Sequence, residues 1–326
     1  MNIQRIQGLD AELPPIVIGT SSAIFSDSTT PWIPTDLSEE EQFAVIDELW
    51  DMGLHCYDCA AGYGEIVLGK YLASRGRTSE AVILTKGCHP NRYRARLTPY
   101  DLLSDFHDSL AKLKRDYIDI YMLHRDDPSV PVSEIIPVLD GLKREGKLRI
   151  YGASNWSIER IREANAFAEA NGMEPFRVMS SHYSLAHQVA DLWGGGLSLT
   201  GPEHAADRAW LLENQMPVFA YSAMSAGFLS GRFRSDDREG ALKILTPFAK
   251  KGYYADENFE RLARAEQLAE KYSVSVAQIS MAWLFRQDLQ VIPLQGGRNA
   301  QMYRQTLEAA ELALSAQEVR WLNLEE

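Results

Sequence analysis

Ala81-Val82-Ile83-Leu84-Thr85-Lys86 is the stretch whose reading decides the fold. The run is apolar without alternation, which suits a strand covered on both faces as in an all-parallel sheet. It ends on an ammonium. Working outward, runs of the same kind recur at Ile16–Thr20, His55–Ala60, Ile118–His124, Ile150–Ser154, Val178–Tyr183, Val218–Ser222 and Val291–Leu294, so eight strands are expected. Helical periods separate them. Ser38 and Glu41 form a capping box ahead of Phe43, Ile46, Leu49 and Trp50, with Gly53 as terminator. Thr98, Pro99 and Asp101 open a second helix whose inner side carries Leu102, Phe106, Leu110 and Leu113. Further starts fall at Ser133, Ser157, Ser275 and Ser315, and Gly146 and Gly172 end two helices.

Strand and helix alternate along 326 residues with no Pro/Gly/Ser-rich linker, which predicts one α/β domain over residues 1–326. The count of eight selects a closed (β/α)8 TIM barrel. A doubly wound dinucleotide fold would need a glycine-rich turn after the first strand, and Gly19-Thr20-Ser21-Ser22 lacks that spacing. Long connections at Ser21–Leu37, Leu185–Gly201 and Gly231–Asp256 are expected as substrate-facing loops.

Composition narrows the function. Forty-five acidic against 33 basic side chains give a formal charge of −12, which speaks against nucleic acid or anionic membrane as a partner. Met1 to Asp10 carries no basic-then-apolar signal and no apolar stretch is long enough to span a bilayer, so a soluble, cytoplasmic protein is expected. Cys56, Cys59 and Cys88 read as buried reduced thiols. The other histidines, His55, His89, His107, His182, His187 and His204, show no pair at ligand spacing, so no metal is expected. Nothing in the pattern specifies an oligomer.

Four islands sit at predicted strand ends: Asp58-Cys59-Ala60-Ala61-Gly62-Tyr63-Gly64, Leu84-Thr85-Lys86, Met122-Leu123-His124 and Gly152-Ala153-Ser154-Asn155. A carboxylate, a phenol, an ammonium and an imidazole in that order make a proton-transfer set. Tyr63 is the natural acid; Lys86 is expected to bring its proton within reach of neutrality, Asp58 to keep that ammonium charged, and His124 to orient a carbonyl. The second half carries binding groups instead. Asn155 suits a carboxamide, Tyr183 offers a stacking face, Ser222 and Gly227 fit a backbone-rich pyrophosphate cradle, and Arg298 in Gly296-Gly297-Arg298 offers a planar fork to a phosphate. Acid in one half and a dinucleotide-shaped cradle in the other suggest hydride transfer without metal.

From Ile16 to Ala310 these residues resemble the aldo-keto reductase family. The Asp58–Gly64 island is similar to its Asp-Thr-Ala-x-x-Tyr-Gly signature, with Cys59 in place of Thr. The resemblance implies Tyr63 as acid/base, Lys86 and Asp58 as its tuners, and His124 as the donor to the carbonyl. It implies cofactor contacts at Gly19, Thr20, Asp58, Ser154, Asn155, Ser180, Tyr183, Tyr221, Ser222, Gly227, Gly297, Arg298 and Gln305, with NADPH favoured over NADH. Three positions depart from the family: Ser180 where Gln is usual before the stacking Tyr, Gln305-Thr306 where Glu-Asn or Gln-Asn reads the adenine, and Met302 where a polar or basic residue is common. Trp32, Trp156 and Trp193 are expected to rim a substrate pocket. Asp126 and Asp127, close after His124, would repel acidic substrates if they face it. The expected reaction is reversible, NADPH-dependent reduction of an aldehyde, ketone or sugar carbonyl. The alternative is a non-enzymatic relative that binds nicotinamide nucleotide as a redox sensor or regulatory subunit.

Overall fold

A computed structural model describes residues 4–325. Its strands are β1 Val17–Gly19, β2 Cys56–Asp58, β3 Val82–Gly87, β4 Ile118–Leu123, β5 Leu148–Ser154, β6 Val178–His182, β7 Val218–Tyr221 and β8 Val291–Gln295. They follow one another in chain order and close into a (β/α)8 barrel. The registered pairs are parallel, among them Asp58 opposite Leu84 and Lys86 opposite Met122. Helices between the strands explain the apolar runs: with both faces of a strand covered, no alternating polar face is needed. Every residue of β3 and β4 is buried.

The helix starts follow the side-chain chemistry. Ser38, Ser275 and Ser315 each complete a capping box, with Glu41, Gln278 and Glu318 respectively. Thr98 caps Pro99–Leu113 by accepting from the Asp101 N–H at 3.2 Å, and Ser157 caps Ile158–Ala170. Ser133 does not start its helix. Val132–Arg144 begins one residue earlier behind Pro131, whose fixed φ of −62° suits the approach to a first turn. The stretch 231–256 is also not a plain loop: it contains Arg238–Ile244, capped by Asp237, and Pro247–Tyr253, capped by Thr246. Helices of two turns carry too short a period to stand out between Gly and Pro.

The packing forms two compact units. One runs from the N-terminal segment to Ser180 and takes back Leu294–Tyr303; the other is Ser181–Pro293 with the chain from Arg304 onward. The first has a core that includes Ile46, Leu72, Phe106 and Ile135, and the second is centred on Phe228, whose ring meets Phe233 at 5.4 Å and Phe259 at 5.2 Å. The three cysteines are free and buried. Among the described residues no helix is long and apolar enough to cross a membrane.

Candidate active site

In the first unit three consecutive strands deliver the titratable groups. Asp58 ends β2 and Lys86 lies near the end of β3, and their side chains are buried as an ion pair. Lys86 Nζ also donates to the Cys59 carbonyl at 3.2 Å and to the Tyr63 hydroxyl at 3.5 Å. Tyr63 stands in a tight turn in which Ala60 and Tyr63 exchange backbone hydrogen bonds of 3.2 and 2.9 Å. The turn closes at Gly64, φ +79°, where a side chain would run into Thr20. Thr20 in turn donates its hydroxyl to the Asp58 carbonyl at 2.8 Å, so the end of β1 steadies the carboxylate's own backbone. His124 follows β4, its N–H on the Gly87 carbonyl at 2.8 Å, and its ring meets Tyr63 edge-on at 6.4 Å between centroids.

Burial sets the charges. It works to discharge Lys86, but the Asp58 carboxylate and the Tyr63 oxygen outweigh it and hold the ammonium up at about 12. Burial raises Asp58, with Lys86 opposing. The same effect lifts the Tyr63 phenol to about 12, again against Lys86. The expectation that Lys86 brings this phenol toward neutrality is therefore corrected: an ammonium already paired to Asp58 offsets only part of the cost of a buried phenolate. Tyr63 keeps its proton. Burial, followed by the charge on Lys86, pushes His124 well below the usual histidine range, and its buried Nδ1 has no hydrogen-bond partner.

A bracket holds the Tyr63 turn from outside. Lys112 Nζ, on the helix Pro99–Leu113, donates to the Ala61 carbonyl at 3.0 Å and lies 3.6 Å from Glu65 Oε2. Glu65 is buried and its other oxygen accepts from the Thr85 hydroxyl at 2.6 Å. Beside this bracket lies a cleft of about 200 Å³ walled by Trp32, Gly62, Tyr63, Glu65 and Lys112; Lys86 and His124 are not on its wall. His89 stacks edge-on against His124 with centroids 4.7 Å apart.

Other groups of the first unit lie in or just after β5, β6 and β8. Ser154 is opposite Ser180, and Asn155, at φ +61°, donates from Nδ2 to the Ser154 hydroxyl at 2.9 Å. The buried Ser180 hydroxyl has no partner. Gly297 follows β8, and Arg298 reaches the exposed Asp36 at 3.4 Å. In the second unit Tyr183 is buried, its hydroxyl on Gln287 Oε1 at 2.8 Å and its ring edge-on to Trp283. Tyr221 ends β7. The turn after it is left-handed at Ser222, Ser225, Ala226 and Gly227, with φ of +51°, +53°, +52° and +88°. Two of its N–H groups, those of Ser225 and Gly227, are spent within the turn on the Ser222 and Met224 carbonyls at 2.7 and 2.9 Å. Gln305 is exposed on the helix Ala300–Glu311, and the Met302 carbonyl accepts from Gln295 Nε2 at 3.1 Å.

The sequence profile of the Aldo/keto reductase family matches residues 15–323. The chain belongs to the aldo/keto reductase family. It is an oxidoreductase. Relatives include an NADP(+) aldo-keto reductase, yakc, of Schizosaccharomyces pombe (strain 972 / ATCC 24843), 27% identical over 85% of this chain and 80% of that protein. An NADP(+) aryl-alcohol dehydrogenase of Phanerodontia chrysosporium is 23% identical over 98% of this chain and 84% of its own. A crystal structure of a thermostable aldo-keto reductase in complex with the inhibitor epalrestat shares the fold with a TM-score of 0.72 at 22% identity, covering 99% of both chains.

Within this aldo/keto reductase the structure brings together Asp58, Tyr63, Lys86 and His124, and it corrects two other expectations. Trp156 is not on a rim. It is fully buried, perpendicular to Phe176 at 5.4 Å, because it sits at the start of the turn into Ile158–Ala170, where an indole fills core volume. Trp32 and Trp193 are exposed, the latter against Phe248 at 4.3 Å. Asp126 does not present a free negative charge beside His124: Arg160 lies 3.3 Å from it, and Asp127 accepts from the Ser129 hydroxyl at 2.6 Å. Sequence reading missed Glu65, Lys112 and His89, and it missed Arg232, whose guanidinium lies 2.6 Å from where a Gly227 Cβ would stand. A positive charge directly after the Ser222–Gly231 segment was the available signal. Among the described residues no group of three His, Cys, Asp or Glu side chains is placed to hold a metal.

Proposed function

We propose that this aldo/keto reductase is a single-domain barrel enzyme that reduces an aldehyde, ketone or sugar carbonyl with NADPH, reversibly, with Tyr63 as the general acid. One observation carries the reading: the Tyr63 hydroxyl shares the Lys86 ammonium with a buried Asp58 carboxylate, while the His124 ring meets Tyr63 edge-on. A phenol held protonated near pH 7 is a proton donor. Lys86, with its charge maintained by Asp58, stabilises the phenolate as the proton leaves. Neutral His124, lying beside Tyr63, donates to the carbonyl oxygen and so orients the substrate without competing for the proton.

The residues present suit the parts of a nicotinamide dinucleotide. In the first unit the orphaned Ser180 hydroxyl, with Ser154 and Asn155, would hold a carboxamide; in the second the turn Ser222–Gly227, with Arg232 beside Gly227, would hold a phosphate. When bound, that cofactor supplies the hydride. The NADP(+) relatives and the cationic Arg232 and Arg298 support NADPH over NADH. Asp126 is already paired with Arg160, so of the two carboxylates only Asp127 is left to weigh against acidic substrates. Purified protein is expected to oxidise NADPH with members of a panel of aromatic, aliphatic, acidic and sugar carbonyls. Tyr63→Phe should lower turnover by about 10²–10⁴-fold with NADPH affinity unchanged. Equal turnover by both proteins removes Tyr63 as the acid.

A further inference from the structure

His182 lies at the end of β6, fully buried, directly before Tyr183. Both ring nitrogens are engaged. Nδ1 is 2.9 Å from the Ser198 hydroxyl, and Nε2 is 2.9 Å from the Tyr253 hydroxyl and 3.1 Å from the Ser184 hydroxyl. Ser184 also lies 2.9 Å from the Ala186 carbonyl, an obligate acceptor, and receives the Ser225 hydroxyl at 2.9 Å. Donor counting then places the ring proton: Ser184 spends its own on Ala186, so its contact with Nε2 is a hydrogen bond only with Nε2–H as donor; Nε2–H serves Ser184 and Tyr253, whose own hydroxyl has Gln188 Oε1 at 3.5 Å, and Ser198 donates to a bare Nδ1. A neutral ring satisfies this set.

This cluster ties three segments distant in sequence: the loop after β6 through Ser198, the helix Pro247–Tyr253 through its last residue, and, through Ser184, the left-handed turn Ser222–Gly227. Ser225, at φ +53°, is the buried one of the turn's four left-handed residues. A non-glycine residue in this region is strained and persists only where its surroundings over-determine it. Nothing in the proton-transfer set accounts for a fully satisfied buried network here.

We infer that His182 is a positioning residue for the cofactor: its Nε2–H fixes Ser184, Ser184 fixes Ser225, and the turn is thereby held in shape before the dinucleotide arrives. The inference rests on the cofactor reading above. Pre-organisation predicts that breaking the chain weakens NADPH binding while leaving chemistry on the bound complex intact.

The test is NADPH titration by fluorescence with steady-state kinetics on the full chain, comparing the parent protein with Ser184→Ala, His182→Phe and the Ser184→Ala/His182→Phe double variant. Each single variant should raise the NADPH Kd about five- to tenfold, the size of one hydrogen bond. Turnover at saturating NADPH should stay within about twofold. The double variant should bind no worse than the weaker single one, because both interrupt one chain. Parent-like NADPH affinity in variants that lose only thermal stability overturns the inference, as does an additive double variant. Should His182→Phe fail to fold, Ser184→Ala, which removes one hydroxyl, decides by the same readouts. A parent protein that binds no NADPH overturns the cofactor reading itself, a result distinct from parent-like variants.

Discussion

The buried polar groups around Tyr63 are charged, and those around His182 are neutral. Around Tyr63 they are an ammonium and a carboxylate held by one another; around His182 they are an imidazole and hydroxyls that hydrogen-bond one another and a backbone carbonyl. The difference teaches what each region has to do. Moving a proton at low dielectric requires a nearby full charge, and that charge has to be compensated where water is absent. Receiving a phosphate requires donors fixed in place, and a neutral network fixes them without adding another charge to desolvate. Burial pushes His182 down to about 3.

Removing one partner of the charged pair should break the comparison most severely. Lys86→Met leaves Asp58 buried and uncompensated, with an expected loss of about 3–5 kcal/mol in denaturant unfolding and no measurable turnover. The Lys86 side of this pair has a pH window. Because the folded value of Lys86 is raised, its stabilisation is complete below the unfolded value of 10.5 and is lost as pH rises through about 12.

Acid should sharpen the same contrast from the other side. Both His124 and His182 are depressed in the fold, so below the ordinary histidine value the unfolded chain binds protons that the folded one refuses. Stability then falls as pH drops below about 6.5, by up to about 1.4 kcal/mol per pH unit for each ring. Denaturation midpoints at pH 7 and pH 5 measure it, and His182→Gln should flatten the dependence by about half. A parent slope unaffected by that substitution removes His182 as a source.

Smaller effects probe the supports. Lys112→Met frees the Ala61 carbonyl and should lower kcat about five-fold, as expected for one hydrogen bond, with Lys112→Arg recovering most of it; unchanged kcat in the Met variant means the Tyr63 turn needs no outer bracket. Arg298→Ala should have the least effect, because that side chain is exposed and faces Asp36. A rise of about threefold in the KM for NADPH, with none for NADH, is expected from one exposed charge on the 2′-phosphate. Equal changes for both cofactors place Arg298 elsewhere.

The strands were legible because parallel strands under helices are apolar throughout, and the caps at Ser38, Thr98, Ser157, Ser275 and Ser315 because capping is local chemistry between residues three apart. Asp58, Tyr63, Lys86 and His124 stood out as chemically complementary groups at successive strand ends. Glu65, Lys112 and Arg232 did not, since a Lys or Glu on a helix reads as solvent-facing until its neighbours in space are known. Trp156 misled for the same reason: an indole beside a strand end is equally at home on a rim or in a core.

Periodicity and capping, properties of short windows, therefore determined the (β/α)8 order and which side chains arrive at strand ends. Only the tertiary structure decided their protonation, since burial lifts the Tyr63 phenol against the pull of Lys86. It alone also tied His182 to Ser225 through Ser184. Desolvation and hydrogen-bond partnership depend on atoms brought near from far along the chain, and no local stretch of residues encodes them.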